Sequence, residues 1–260
     1  MEQVQPKGGT PIGISRSGTG PPLLLVHGTT ADHSRWSTIS PQFERDFTVY
    51  AMDRRGRGMS GDSPVYTIQR EAEDIAAVAE AIGKQVSVLG HSYGGLLCLE
   101  AALLTGTISR LILYEPDAPT GNSYIPPDFI TRMHALVDQG KFEPALEILF
   151  KELVEMPENE LEEFRRLPMW KVRINLVPTI PRELDALSTY RFEANRFSTL
   201  QTPTMLLLGG DSPPLARQAI EIIDDALPNS QIVILAGQQH IAMDTAPELF
   251  AGEVLGFLRA

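Results

Sequence analysis

The 260-residue sequence predicts an α/β protein with a mostly parallel central sheet flanked by helices, and three observations lead there. Short apolar runs recur along the chain, amphipathic helical stretches separate them, and one long segment without a strand interrupts the alternation. Strand alternating with helix is the pattern of a parallel sheet covered on both faces.

The runs are LLLV (Leu23 to Val26), FTVYAM (Phe47 to Met52), VSVL (Val86 to Leu89), LILY (Leu111 to Tyr114), MLLL (Met205 to Leu208) and IVIL (Ile232 to Leu235). Each is apolar on both faces, as a covered strand requires. Between them, Thr67 is placed to cap a helix whose apolar positions Ile75, Val78, Ala79 and Ile82 recur at helical spacing, with Gly83 as its stop. The last helix begins at Thr245-Ala246-Pro247-Glu248, a capping-box spacing with proline in the first turn, and is expected to bury Leu249, Phe250, Val254 and Phe257.

From Pro119 to Thr199 there are helical runs but no strand: Asp128 to Asp138, Glu143 to Val154 and Glu158 to Arg166, parted by prolines and Gly140. Residues 1–118 and 200–260 are therefore expected to form one core, and residues 119–199 a helical cap, or lid, inserted between two of its strands.

A net charge of −11 opposes binding to nucleic acid or anionic membrane, both of which call for clustered Lys and Arg. A small, uncharged partner is expected. The single cysteine, Cys98, forms no internal disulfide and no zinc site alone, and reads as a small buried hydrophobe. With no signal-peptide pattern and no apolar run long enough to span a bilayer, a soluble, cytoplasmic protein is expected.

Gly90-His91-Ser92-Tyr93-Gly94 fits the pattern GxSxG, with an apolar strand before it and a helix-forming run after it. In such a nucleophile elbow the serine occupies a strained strand-to-helix turn, and the flanking glycines give strand and helix room to approach. A serine hydroxyl needs a base, and the base needs an acid to orient it. Of the five histidines (His27, His33, His91, His134 and His240), His240 occupies the loop between the last strand and the last helix, at the sheet edge where active sites gather. Asp211, in GGDSPP after the run Met205 to Leu208, keeps the chain order serine, acid, histidine; Asp117, in YEPDAP after Leu111 to Tyr114, is the alternative acid. The backbone N–H groups of Tyr93 and of Thr29, in His27-Gly28-Thr29-Thr30, are placed to receive a developing oxyanion. Gly56-Arg57-Gly58-Met59-Ser60-Gly61 satisfies GxGxxG but does not open a helix, so nucleotide binding is set aside.

Taken together, LLLVHGTT, DRRGRGMSG (Asp53 to Gly61), GHSYGG and GQQH make the chain resemble the α/β-hydrolase superfamily over nearly its whole length, and in particular its lid-bearing serine esterase- and lactonase-like branch. The resemblance implies Ser92 as nucleophile, His240 as base, and Thr29 and Tyr93 as oxyanion donors. It implies hydrolysis of an uncharged carboxylic ester or lactone through an acyl-enzyme, with no cofactor or metal. Relatives often carry the acid one residue later than Asp211, where this chain has Ser212, so Asp117 stays open. Trp36, Phe129, Met133, Phe142, Leu146, Met169 and Trp170 are the expected apolar pocket. Two alternatives share the fold: a ligand sensor without turnover, and thioester, C–C bond or perhydrolysis chemistry at the same triad.

Overall fold

The computed structural model describes residues 2–6, 9–118, 125–126 and 128–260. Its eight strands are β1 (Glu2–Val4), β2 (Ile12–Gly18), β3 (Pro22–Val26), β4 (Thr48–Met52), β5 (Val86–His91), β6 (Ile108–Tyr114), β7 (Thr204–Gly209) and β8 (Ser230–Leu235). They form one sheet in the order β1-β2-β4-β3-β5-β6-β7-β8. All six apolar runs are strands within it, and β3 to β8 pair in parallel. The sequence reading passed over β1 and β2, which are antiparallel. The reason is that β2, IGISRSG, buries its first half and then alternates towards solvent, so it presents no continuous apolar run. β8 also departs from its expected burial: it is the sheet's edge, and Ile232 and Ile234 are exposed.

The longer helices are α1 (Ile68–Ile82), α2 (Tyr93–Ala102), α3 (Phe129–Asp138), α4 (Phe142–Ile148), α5 (Glu158–Arg165), α6 (Met169–Leu176), α7 (Ile180–Thr189), α8 (Pro214–Ala226) and α9 (Pro247–Arg259). Thr67 caps α1 by accepting from the Arg70 N–H at 3.1 Å, and Gly83 ends it at φ +143°. The capping box expected at Thr245 does not form. A short helix at Ala242–Thr245 takes that residue, whose hydroxyl donates to the Gln238 side chain, and Ala246 becomes the N-terminal flank of α9. In α9, Phe250, Val254 and Leu258 are buried while Leu249 is exposed.

Five helices, α3 to α7, fall between β6 and β7. The expected junction at residue 119 lies outside the described residues. The run expected as one helix from Glu143 to Val154 is split: α4 passes into a π-helical turn at Leu149–Leu153, where the Val154 N–H reaches the Leu149 carbonyl. Such a turn rotates the residues beyond it relative to an α-helix. Met169–Leu176 and Ile180–Thr189 add two helices that the sequence reading did not separate.

Two apolar cores lie against the sheet. One joins α1, α2 and the helices after β6; the other joins Trp36, Phe43 and α9. The start of α2 approaches β5 and the end of β3 closely enough to require glycine: a Cβ on Gly90 would lie 2.7 Å from Cys98 Sγ, and one on Gly94 would lie 2.4 Å from the His27 carbonyl oxygen. Gly94→Ala is therefore expected to lose about 1–3 kcal/mol of stability or more. Gly252→Ala, in α9 with nothing within 4 Å, should gain about 0.5–1 kcal/mol. Urea unfolding of the two variants checks both signs.

Candidate active site

Strand register brings the site together. His91, the last residue of β5, is level with Tyr114, the last of β6, so Ser92 and Glu115 emerge side by side. Both residues leave their strands with left-handed backbone, Ser92 at φ +55° and Glu115 at φ +41°. For a residue with a side chain this costs energy, and it turns each one out of the sheet plane at the strand's carboxyl end. At Ser92 the turn is clamped by its neighbours: its N–H donates to the Tyr114 carbonyl, and its own carbonyl accepts from Gly95, Leu96 and Asp117.

His240 meets Glu115. The ring Nδ1 lies 2.7 Å from Glu115 Oε2, while Glu115 Oε1 accepts from the Ser212 hydroxyl at 2.5 Å and from the Gly209 N–H at 2.8 Å. Burial pushes the Glu115 carboxyl towards its neutral form, but the hydrogen bond and charge of His240, with Ser212 and Gly209, outweigh it and hold the pKa below its ordinary value. Ser92, His240, Glu115, Thr29 and Tyr93 all line one cavity.

Asp211, expected as the acid, is exposed and donates its backbone N–H to Gln238. The chain has already turned by that point, and it is the next residue, Ser212, that reaches inward to Glu115. Asp117 lies on the cavity wall, but the imidazole bond belongs to Glu115, two residues earlier. The sequence reading overlooked Glu115 although it stands in the same YEPDAP turn. Its signal was available: a carboxylate that orients an imidazole is Asp or Glu, and Glu115 is the residue directly after β6, between Ser92 and His240 in the chain.

The loop carrying His240 is pinned on several sides. His91 Nε2 donates to the His240 carbonyl at 2.9 Å, and the Tyr114 hydroxyl donates to the Gln239 carbonyl and accepts from the Ala242 N–H. Buried Arg35 pairs with Asp244 at 2.7 Å. The His91 ring lies against His240, with centroids 4.6 Å apart, and burial followed by the His240 charge holds its pKa well below the ordinary value. His91 is thus a neutral support for the loop.

Thr29 sits in the loop after β3, where a Cβ on Gly28 would come within 2.9 Å of Ser92 Cβ. The loop is held by guanidiniums: Arg54 donates to the Gly28 carbonyl, Arg57 to that of Ala31, and Arg173 to the carbonyl and hydroxyl of Thr30. Arg54 pairs with Glu71 and Glu183, and Arg57 with Glu183, all buried. The DRRGRGMSG segment is therefore a set of buried cations that braces the loop. His27 belongs to the same frame, donating from Nδ1 to the Gly28 carbonyl and accepting the Arg54 N–H at Nε2.

None of the seven expected pocket residues lines this cavity. Trp36 is buried in the core on the α9 side; Phe129, Met133, Leu146 and Trp170 are buried among the helices after β6, with Phe142 and Met169 packed against them. The apolar wall is instead Leu149, Phe150, Leu153, Leu184, Leu187 and Ile241. Three of these belong to the π-helical turn, which sets the face beyond it out of step with an α-helical reading. Among the described residues, Asp32, His33 and Asp53 have metal-ligating atoms grouped together. The buried Asp53 carboxylate already accepts from the His33 N–H and ring and from the Met59 N–H, which accounts for the group without an ion. Among those residues, no helix is long and apolar enough to cross a membrane.

Residues 23–253 match the model of the alpha/beta hydrolase family, and the chain belongs to that family. It is similar to the crystal structure of an alpha/beta hydrolase from Sphaerobacter thermophilus, with a TM-score of 0.88 and 33% identity over 99% of this chain and 100% of that one. A candidate carbamate hydrolase, RutD, of Pseudomonas savastanoi pv. phaseolicola is 28% identical over 92% of this chain and 94% of its own. A pimeloyl-[acyl-carrier protein] methyl ester esterase of Aeromonas hydrophila is 22% identical over 92% and 96% respectively. The chain is thus a hydrolase of the α/β-hydrolase family.

Stability should fall as pH falls. His27 and His91 have pKa values depressed below 6.5, and Glu115 has one depressed below 4.5. The unfolded chain therefore binds more protons than the folded one as pH drops through 6.5 and then 4.5. Asp74, raised by burial, acts in the opposite sense in acid. Thermal unfolding followed from pH 7.5 to 4.5 should show a steadily falling Tm; a flat profile would contradict the buried neutral imidazoles.

Proposed function

We propose that the protein is a serine hydrolase that cleaves a carboxylic ester or lactone, with Ser92 as nucleophile, His240 as general base and Glu115 as the acid. The observation that carries the reading is the 2.7 Å contact of His240 Nδ1 with a buried carboxylate, in a cavity shared with a serine held at φ +55°. Glu115 fixes the imidazole tautomer that leaves Nε2 free to take the serine proton. Ser92 Oγ attacks the carbonyl carbon as its proton passes to His240, and the oxyanion is received by the N–H groups of Tyr93 and Thr29. His240 then gives the proton to the departing alkoxide. Water, deprotonated by His240, cleaves the acyl-enzyme and releases the acid and free Ser92. The helices of residues 119–199 act as the cap, supplying the wall from Leu149 to Leu153.

A related set of reactions is supported by the names of relatives, which include an esterase and a candidate carbamate hydrolase. The same residues serve a thioester, in which only the leaving group changes, or a carbamate, whose carbonyl also carries nitrogen and is less electrophilic.

Ser92→Ala should lower kcat on an activated short-chain ester by at least ~10⁴-fold and abolish labelling by a fluorophosphonate. Glu115→Gln should cost on the order of 10⁴-fold, because the tautomer is no longer fixed, whereas Asp211→Asn should stay within about threefold. Equal losses in Glu115→Gln and Asp211→Asn would contradict the assignment of the acid. No turnover and no labelling of the wild-type protein would favour a sensor.

A further inference from the structure

The structure has five arginines buried or nearly so around the site, and four of them face a carboxylate. Arg54 meets Glu71 and Glu183, Arg55 meets Asp74, Arg57 meets Glu183, and Arg35 meets Asp244. Arg173, on α6, is the exception. It is 6% exposed, yet among the described residues no carboxylate pairs with it. One nitrogen, Nη1, donates to Thr30; Nε is buried without a partner; the guanidinium lies over the Phe164 ring at 4.9 Å and the Phe150 ring at 5.7 Å. Arg173 also lines the cavity that holds Ser92 and His240.

A buried cation with a spare donor and no carboxylate paired to it is costly unless something completes it. Burial, followed by the charge of Arg35, pushes the Arg173 pKa down to about 9, with Asp244 and Asp32 only partly opposing it and Arg57 adding to it. Of the acids on the cavity wall, Glu115 is committed to His240, Glu183 to Arg54 and Arg57, and Glu152 to Arg132; Asp117 and Glu155 also lie there. A single planar cation on a wall carrying acids suits one singly charged, planar anion, and a carboxylate meets that description better than a dianionic phosphate.

We propose that Arg173 is a specificity-determining residue that binds a carboxylate on the substrate, so that the protein acts on a half-ester, or on an ester or lactone bearing a free carboxylate, and not on an uncharged one. This rests on the serine hydrolase reading. The net charge of −11 suggested an uncharged partner, but the local field at Arg173 decides what enters the cavity. The guanidinium holds the carboxylate end and turns the scissile carbonyl towards Ser92. Because the same side chain holds Thr30, its loss affects every substrate, and only the contrast between charged and neutral substrates isolates the recognition.

The test compares kcat/KM for monomethyl and dimethyl esters of succinic, glutaric and adipic acids, and for O-acetylglycolate and its methyl ester. These place the carboxylate on the acyl and the alcohol side in turn. Wild type should favour the charged member at least tenfold in one pair, Arg173→Met should reduce that preference at least tenfold, and Arg173→Lys should retain part of it. Equal losses for charged and neutral esters in Arg173→Met, or a wild-type preference below threefold in every pair, would overturn the proposal. Calorimetry of glutarate binding reads the guanidinium without turnover, and on wild type it needs no variant: binding should be detectable, weaker in Arg173→Met, and stronger than that of inorganic phosphate. Tighter binding of phosphate would overturn the choice of carboxylate. Absence of ester turnover and of Ser92 labelling would defeat the hydrolase reading instead, whereas turnover without charge preference defeats only this one.

Discussion

Glu183 is the carboxylate on which two buried guanidiniums converge. It reaches from α7 to Arg54 and Arg57. Charges this far from water are tolerable only when paired and hydrogen-bonded. Burial alone would drive the Arg54 guanidinium towards neutrality, but Glu183 and Glu71 outweigh it and hold the proton firmly. The loop from His27 to Ala31 is therefore shaped from beneath by cations whose own partners come partly from a distant helix. Removing one member of such a pair typically costs about 3–5 kcal/mol, and here the cost would fall on the loop that faces Ser92.

The opposite wall is built differently. His240 is positioned by hydrogen bonds from neighbouring strand ends: His91 to its carbonyl, Tyr114 to the adjacent residue, and Glu115 to its ring. His91 and Tyr114 are partners in the β5–β6 ladder. The geometry of the imidazole is thus a consequence of register, and Ser92 and Glu115 share that same register. One side of the cavity is set by ion pairs, the other by backbone pairing.

Much of this was legible in the sequence because it is local. The six apolar runs are strands, and GHSYGG and GQQH mark the two side chains that the structure brings to one cavity. What was not legible depends on relations between distant residues. The carboxylate that meets His240 is Glu115 and not Asp211 because β5 and β6 end level, which no spacing along the chain reveals. The pocket wall is formed by Phe150 and Leu153 and not by Leu146 and Met169, because which stretch of an apolar face meets the cavity is settled by how the helices pack on one another, which the 3.6-residue period does not show. In the sequence the DRRGRGMSG segment shows only a glycine pattern and a part of the family resemblance, and the bracing role of Arg54 and Arg57 stays hidden because Glu183 lies more than a hundred residues on.

Glu115 stands directly after β6, early in the chain. Ser92 and Glu115 precede the helices that lead to β7, and His240, Ser212 and Gly209 follow them, so the site closes across that segment without drawing its hydrogen bonds from it. By that measure alone those helices are a self-contained module, free to be exchanged for others. Glu183 and Arg173 argue otherwise, because they pass from that module to Arg54, Arg57 and Thr30. A chimera carrying foreign helices would leave Arg54 and Arg57 short of a counter-charge and Thr30 without its clamp. Module and core are transplantable only together with the residues at their seam.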